Sequence, residues 1–133
     1  MQFFLPMEPP TTTAQMHKVT VRNGKPVFYD PPAVKEMKAK LAAHLCAHKP
    51  EEPMLGPLRL ACHWVWPSKT EAYKPTKPDT DNLQKALKDV MGLCRFWLDD
   101  AQVCDERCIK SWGLVPGIFI KIEELSRGDQ RKN

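Results

Sequence analysis

Polar and apolar positions alternate most cleanly over residues 58–66. Leu58, Leu60, Cys62, Trp64 and Trp66 share one face, and Arg59, Ala61, His63 and Val65 share the other. A period of two predicts a strand, and an apolar face this continuous places it centrally. Residues 117–123 repeat the pattern with Ile118, Ile120 and Ile122. Residues 1–5 predict a short apolar strand stopped by Pro6, followed by a loop over 8–15. Lys18–Arg22 and Lys25–Tyr29 flank Asn23-Gly24, a two-residue hairpin signal.

The period changes to a helical one at Val34, Met37, Leu41 and Leu45. This predicts a helix over about residues 32–48, with Asp30 as its cap and proline in its first turn. A second helix is predicted over about residues 80–91 and stopped at Gly92. At about 100° per residue, Leu83, Ala86, Leu87, Val90 and Cys94 form its buried stripe. Asp81, Lys85 and Lys88 then face the other way. Residues 101–103 and 107–112 predict short strand segments, with a polar loop over 67–78 and a frayed polar tail over 126–133. The expected fold is α/β (α+β): a compact single domain over residues 1–125, with a mixed β-sheet and two main helices.

Composition adds bounds. A chain of 133 residues with 42% hydrophobic and 27% charged residues is an ordinary globular domain. No apolar run has bilayer-spanning length, and the first residues lack the basic region of a signal peptide. Five cysteines, an odd number, fit reduced thiols in a cytoplasmic protein. The formal charge is +4 but uneven: residues 1–78 carry +5 and residues 79–133 carry −1. A basic half beside an acidic cluster suits a metal-dependent enzyme acting on a phosphate polymer. On charge alone, a solvated surface with chance asymmetry is the favoured reading.

The acidic cluster is the chemical signal. Asp79, Asp81, Asp89, Asp99 and Asp100 lie within one short run of the chain. Carboxylates repel one another unless a cation holds them together, and magnesium or manganese prefers such oxygen donors. Asp79 and Asp81 stand close enough to share a cation. Asp81 and Lys85, four apart, are neighbours on the exposed helix face. Asp100 follows Asp81 by nineteen residues, and a return loop after the helix can bring it back. Helix capping and a routine surface ion pair are the plain alternatives for Asp-x-Asp-Asn with lysine. Only the combination with Lys85 and the Asp99-Asp100 pair tips the balance toward a metal site.

The run KPDTDNLQKALKDVMGLCRFWLDDAQV resembles the signature of the RusA-type Holliday junction resolvases, the crossover junction endodeoxyribonucleases. The likeness is a D-x-D-N-x-x-K segment, a helix, then Asp-Asp-x-Gln and an apolar residue. The surrounding order of elements fits over about residues 1–124. The resemblance implies a homodimer that nicks two opposed strands of a four-way junction with magnesium or manganese. It implies Asp79, Asp81 and Asp100 as metal ligands and Lys85 as the catalytic lysine, with Asp99 in reserve. It also implies a cytoplasmic, nucleoid-associated protein. Many members carry an arginine-rich segment after the first strand, whereas no arginine precedes Arg22 here. DNA contacts are therefore expected from Lys18, Arg22, Lys69, Lys74 and Lys77.

Other features carry less. His44 and His48 are four apart but lack the further ligands zinc needs. Cys94, Cys104 and Cys108 lack zinc-finger spacing and read as small hydrophobes. Trp64 and Trp66 read as core or dimer packing, and Trp97 or Trp112 as a platform for an exposed base. Both the 58–66 face and the N-terminal strand are candidate dimer surfaces. Two other functions are open: a non-catalytic branched-DNA-binding module, separated by cleavage with magnesium against EDTA, and a small-molecule phosphohydrolase, which lacks a nucleotide-pocket signature.

Overall fold

The computed structural model describes residues 1–11, 18–29 and 32–126. The Asp30 cap, most of the 8–15 loop, the Lys18 side chain and the tail beyond 126 lie outside the described residues. Among the described residues, seven strands and two α-helices run in the order β1 (Gln2–Leu5), β2 (Lys18–Arg22), β3 (Lys25–Tyr29), α1 (Pro32–Leu45), β4 (Leu58–Pro67), β5 (Ala72–Tyr73), α2 (Thr80–Leu93), β6 (Val103–Gly113) and β7 (Gly117–Glu124). The predicted hairpin is present as β2–β3, with Asn23 and Gly24 both at positive φ.

The main sheet has five strands in the order β1-β7-β4-β6-β5. β4 and β6 are parallel, joined through α2, and the other pairings are antiparallel. The mixed sheet and the two-helix α+β architecture are as expected. Leu58, Leu60, Cys62, Trp64 and Trp66 are buried against Ile118, Ile120 and Ile122 of β7, Leu5 of β1, and the apolar faces of the helices. α1 contributes Val34, Met37, Leu41 and Leu45; α2 contributes Leu83, Ala86, Leu87, Val90 and Met91. The Leu58–Trp66 stripe is thus core and not a dimer surface. Trp97, expected as a possible stacking platform, is fully buried as well.

Three boundaries differ from expectation. α1 stops at Leu45 and tightens into a 3₁₀ turn over Cys46–His48. Gly92 does not end α2: Cys94 is the C-cap, and Arg95 takes the positive φ of 69° that closes the helix. The two predicted short segments are one strand, β6, whose register with β4 slips between Leu58 and Arg59. That bulge leaves Cys104 without a partner and hides the alternation from the sequence. Beyond it, Leu60 pairs with Glu106, Cys62 with Cys108, Trp64 with Lys110 and Trp66 with Trp112. In-register neighbours share a sheet face. The slip therefore turns Glu106 and Lys110 toward the helices.

No helix among the described residues is long and apolar enough to cross a membrane. The five cysteines are free thiols, with Cys46 Sγ and Cys94 Sγ 3.6 Å apart.

Candidate functional site

α2 carries the first part of the site. Asp79 sits at its N-cap (φ −72°, ψ 150°), yet its side chain makes no capping hydrogen bond. Its carbonyl accepts the first helical bond, from Leu83 N at 3.1 Å. The capping explanation for this aspartate therefore fails, and its carboxylate is left for other work. Asp81 and Lys85 are exposed one turn apart, as the helical spacing requires, with the apolar stripe buried behind them.

The strap entering α2, residues 74–78, is fastened by two lysines. Lys74 is only 7% exposed. Its Nζ lies 4.9 Å from the ring centroids of both Trp66 and Trp112, and it donates to Thr76 Oγ1 at 2.9 Å and to the Lys77 carbonyl. Burial, and then the nearby Lys110 charge, push its pKa down. Lys74 is thus a tether whose charge is absorbed by indole faces and carbonyls, which corrects its assignment to DNA contact. The half-buried Trp112 ring also carries this ammonium. Arg22, Lys69 and Lys77 are exposed. Lys110, absent from the sequence-based candidates, donates to Thr76 O at 2.6 Å and Pro78 O at 2.7 Å.

The second part comes from the turn after α2. Asp99 caps a 3₁₀ turn over Asp100–Gln102, accepting from Ala101 N at 2.8 Å. Gln102 completes the capping box: its Oε1 accepts from Asp99 N at 3.0 Å and Leu98 N at 2.9 Å, while its Nε2 donates to Met54 O and Gly56 O, each at 3.0 Å. Within Asp-Asp-x-Gln, Asp99 and Gln102 build the turn and Asp100 is presented by it. Trp97 Nε1 donates to Asp100 Oδ1 at 2.7 Å. Gly92 makes room for that oxygen, since a Cβ there would stand 3.1 Å from it.

These parts meet in a cleft of about 530 Å³ whose walls include Asp81, Lys85, Asp89, Asp100 and Glu106. Asp81, Lys85 and Asp100, singled out from sequence, are brought together; Asp79 stands two residues before Asp81 and outside the lining. Asp89, the remaining aspartate of the run, borders the cleft and lies 3.9 Å from Lys85 Nζ. Both are partly exposed, so this pair contributes little energy. Sequence reasoning missed Glu106, which accepts from Gln84 Nε2 at 2.8 Å and pairs with Lys88 at 3.0 Å. Gln84 is itself buried and accepts from Trp64 Nε1 at 2.9 Å. Cys108 lines the cleft as a neutral thiol, since burial pushes it up to about 11. A larger hollow of about 590 Å³ lies on the opposite sheet face, around His63, Tyr73 and Ser111. It contains none of the clustered aspartates.

Among the described residues no three carboxylates, thiols or imidazoles already converge on one point. Magnesium asks for less: one or two carboxylates, with water and substrate phosphate completing the octahedron. Asp81 and Asp100 across one cleft, with Asp79 beside it, supply hard oxygen donors of that kind.

The Endodeoxyribonuclease RusA family pattern matches residues 6–123 of the chain. The chain belongs to the RusA family. It is 31% identical over 108 residues to the crossover junction endodeoxyribonuclease rusA of Lactococcus phage r1t, covering 77% of this chain and 81% of that one. It is 30% identical over 122 residues to the uncharacterized protein YqaN of Bacillus subtilis (strain 168), covering 80% and 85%. The crossover junction endodeoxyribonuclease RusA of Escherichia coli (strain K12) is 59% identical over a shorter stretch of 32 residues, 24% of this chain and 27% of that one. This chain is thus a RusA-family endodeoxyribonuclease, with acidic and basic groups from two separate segments lining one cleft.

Proposed function

We propose that this RusA-family chain resolves four-way DNA junctions by paired, symmetric phosphodiester hydrolysis, with magnesium or manganese. The observation that carries the proposal is the meeting of Asp81, Lys85 and Asp100 in one cleft, delivered by α2 and by the turn after it. RusA-family nucleases are metal-dependent in general, and the donors here suit a hard cation. Asp81 and Asp100 would hold it, with Asp79 at the helix N-cap as the third carboxylate. When bound, such a cation supplies Lewis-acid polarisation of the scissile phosphate and an acidified water.

The chain's own groups do the rest. Lys85 carries a point charge on the exposed edge of the cleft, where it offsets charge developing on the phosphoryl oxygens. Its side chain is 63% exposed and only loosely paired with Asp89, so it is available to an incoming phosphate. Lys88 and Gln84 hold Glu106 in place and keep that carboxylate from competing for the phosphate's partners. Arg22, Lys69 and Lys77, together with Lys18, are the proposed contacts to the DNA backbone.

Two opposed nicks require two such clefts on one junction, hence a homodimer. The sheet face away from the helices supports this, because Phe4, Tyr73, Leu114, Val115 and Phe119 remain exposed. A substrate of this kind places the protein with cellular DNA, in the cytoplasm.

The test is cleavage of a synthetic four-way junction with magnesium or with EDTA, using linear duplex as the control. Symmetric nicks in the junction alone, lost in EDTA and in Asp81→Asn and Asp100→Asn, are the expected outcome. Equal binding without cleavage under all conditions would instead identify a non-catalytic junction-binding module.

A further inference from the structure

We propose that Lys110 and Lys74 are positioning residues that hold the Asp79–Asp81 segment in the register a divalent cation needs. This rests on reading those aspartates as metal ligands. Three consecutive carbonyls immediately before Asp79, those of Thr76, Lys77 and Pro78, each accept from one or both of two ammonium groups. Lys110 Nζ takes Thr76 O at 2.6 Å and Pro78 O at 2.7 Å. Lys74 Nζ takes Lys77 O, Thr76 Oγ1 at 2.9 Å and, more distantly, Thr76 O at 3.5 Å. Pro75 and Pro78 lack backbone N–H groups, so the strap cannot fasten itself to the sheet edge as an ordinary strand would.

The anchor points are rigid. Lys74 Nζ sits between the Trp66 and Trp112 rings, 4.9 Å from each centroid. Lys74 N also donates to Lys110 O at 3.1 Å, tying the strap's origin to β6. Lys110 is set by its register opposite Trp64 on the central strand β4. Lysine is rarely buried unless its charge is matched; buried Lys74 and half-buried Lys110 both donate to carbonyls one to three residues from a candidate ligand. Through the Pro78–Asp79 peptide, the sheet fixes where α2 begins and where Asp79 and Asp81 project.

Coulomb's law gives this proposal a distinctive sign. If the lysines were only nearby positive charges, removing one would tighten the binding of a divalent cation. If they position the ligands, removing one weakens it.

The test is Mn²⁺ titration of the full chain by isothermal calorimetry, comparing wild type with Lys110→Met, Lys74→Met and the exposed control Lys35→Met. Thermal unfolding is followed on each. The expected result is Mn²⁺ affinity lower by on the order of 10- to 100-fold in Lys110→Met, the cost typical of losing an outer-shell support. Lys74→Met, whose thioether can fill the slot between the indoles, should weaken Mn²⁺ in the same direction. Lys110→Arg should restore most of the affinity, because its fork can still reach two carbonyls. Cleavage of the junction at saturating Mn²⁺ should recover in the variants, so the defect appears in the metal dependence and not in the limiting rate. Unchanged or tighter Mn²⁺ binding by a folded Lys110→Met or Lys74→Met protein would overturn the positioning role while leaving the metal site standing. Wild-type protein that takes up no Mn²⁺ would overturn both.

Discussion

Replacing Gly92 by alanine separates the stability of α2 from the placement of Asp100. Gly92 is inside the helix, which runs to Leu93, so alanine suits its backbone. Exchange of glycine for alanine in a helix gains up to about 1 kcal/mol. The new Cβ, however, would lie 3.1 Å from Asp100 Oδ1 and 3.7 Å from Trp97 Nε1. The first distance is a few tenths of an ångström too short for ordinary contact. The carboxylate must shift, and its 2.7 Å hydrogen bond from Trp97 must lengthen or tilt. Weakening a charge-assisted bond of this kind removes part of the roughly 1.5–3 kcal/mol it contributes, which cancels most of the helix gain. The predicted unfolding free energy therefore changes by less than about 1 kcal/mol. Activity should respond more strongly, since a 1 Å misplacement at a reacting centre costs about a hundredfold. A shift of a few tenths of an ångström predicts a loss of roughly three- to tenfold in single-turnover junction cleavage. Urea unfolding and the cleavage assay, run on one preparation, provide both numbers. Undiminished cleavage would refute the idea that the Asp100 oxygen is both confined and catalytically needed.

Four further changes bear on the same scaffold. Gln84→Leu should destabilise by about 1–3 kcal/mol in urea, because it strands the buried Trp64 Nε1 and removes a donor from Glu106; Lys85→Ala, at an exposed site, should stay within about 0.5 kcal/mol of wild type while losing cleavage and retaining junction binding. Gly117→Ala would drive a Cβ to 2.1 Å from Phe4 Cζ and 2.6 Å from Leu5 O, so a loss of about 1–3 kcal/mol and faster amide exchange in β1 are expected. Burial holds the His63 pKa below its ordinary 6.5. The unfolded chain then binds the extra proton first, so stability should fall as pH drops through and below 6.5, and a His63→Asn variant should show a shallower slope of urea midpoint against pH.

Much of this architecture is legible along the chain because it is written in local periods. The two-residue repeat of β4 and β7, the stripe of α2 and the Asn-Gly turn need no knowledge of what lies across the sheet. Asp81 and Lys85 follow from helix geometry alone. What escapes is long-range. Glu106 and Lys110 face the helices only because the bulge at Cys104 resets the parity of β6, and a register slip has no signature in one strand. Lys74 looks like any loop lysine until two tryptophans from different strands close around it. Gly92 carries the composition of a helix stop, but its missing side chain serves Asp100, and Arg95 makes the turn. The Asp99-Asp100 pair splits its duties for a comparable reason: which carboxylate caps and which is presented depends on the 3₁₀ turn.

The pairing of β1 with β7 bears on how the chain reaches this state. Phe3 lies opposite Ile120, and the Met1 amino group donates to Ile122 O, 121 residues away, so β1 and β7 close a very long loop. β7 is also the strand that joins β1 to β4. On the ribosome, β1 must wait without its partner until β7 emerges, while β4, α2 and β6 can already associate. Contacts of such sequence separation slow folding through loop-closure entropy. The acidic cleft can therefore take shape before the sheet is complete, with its final rigidity arriving only when β7 docks.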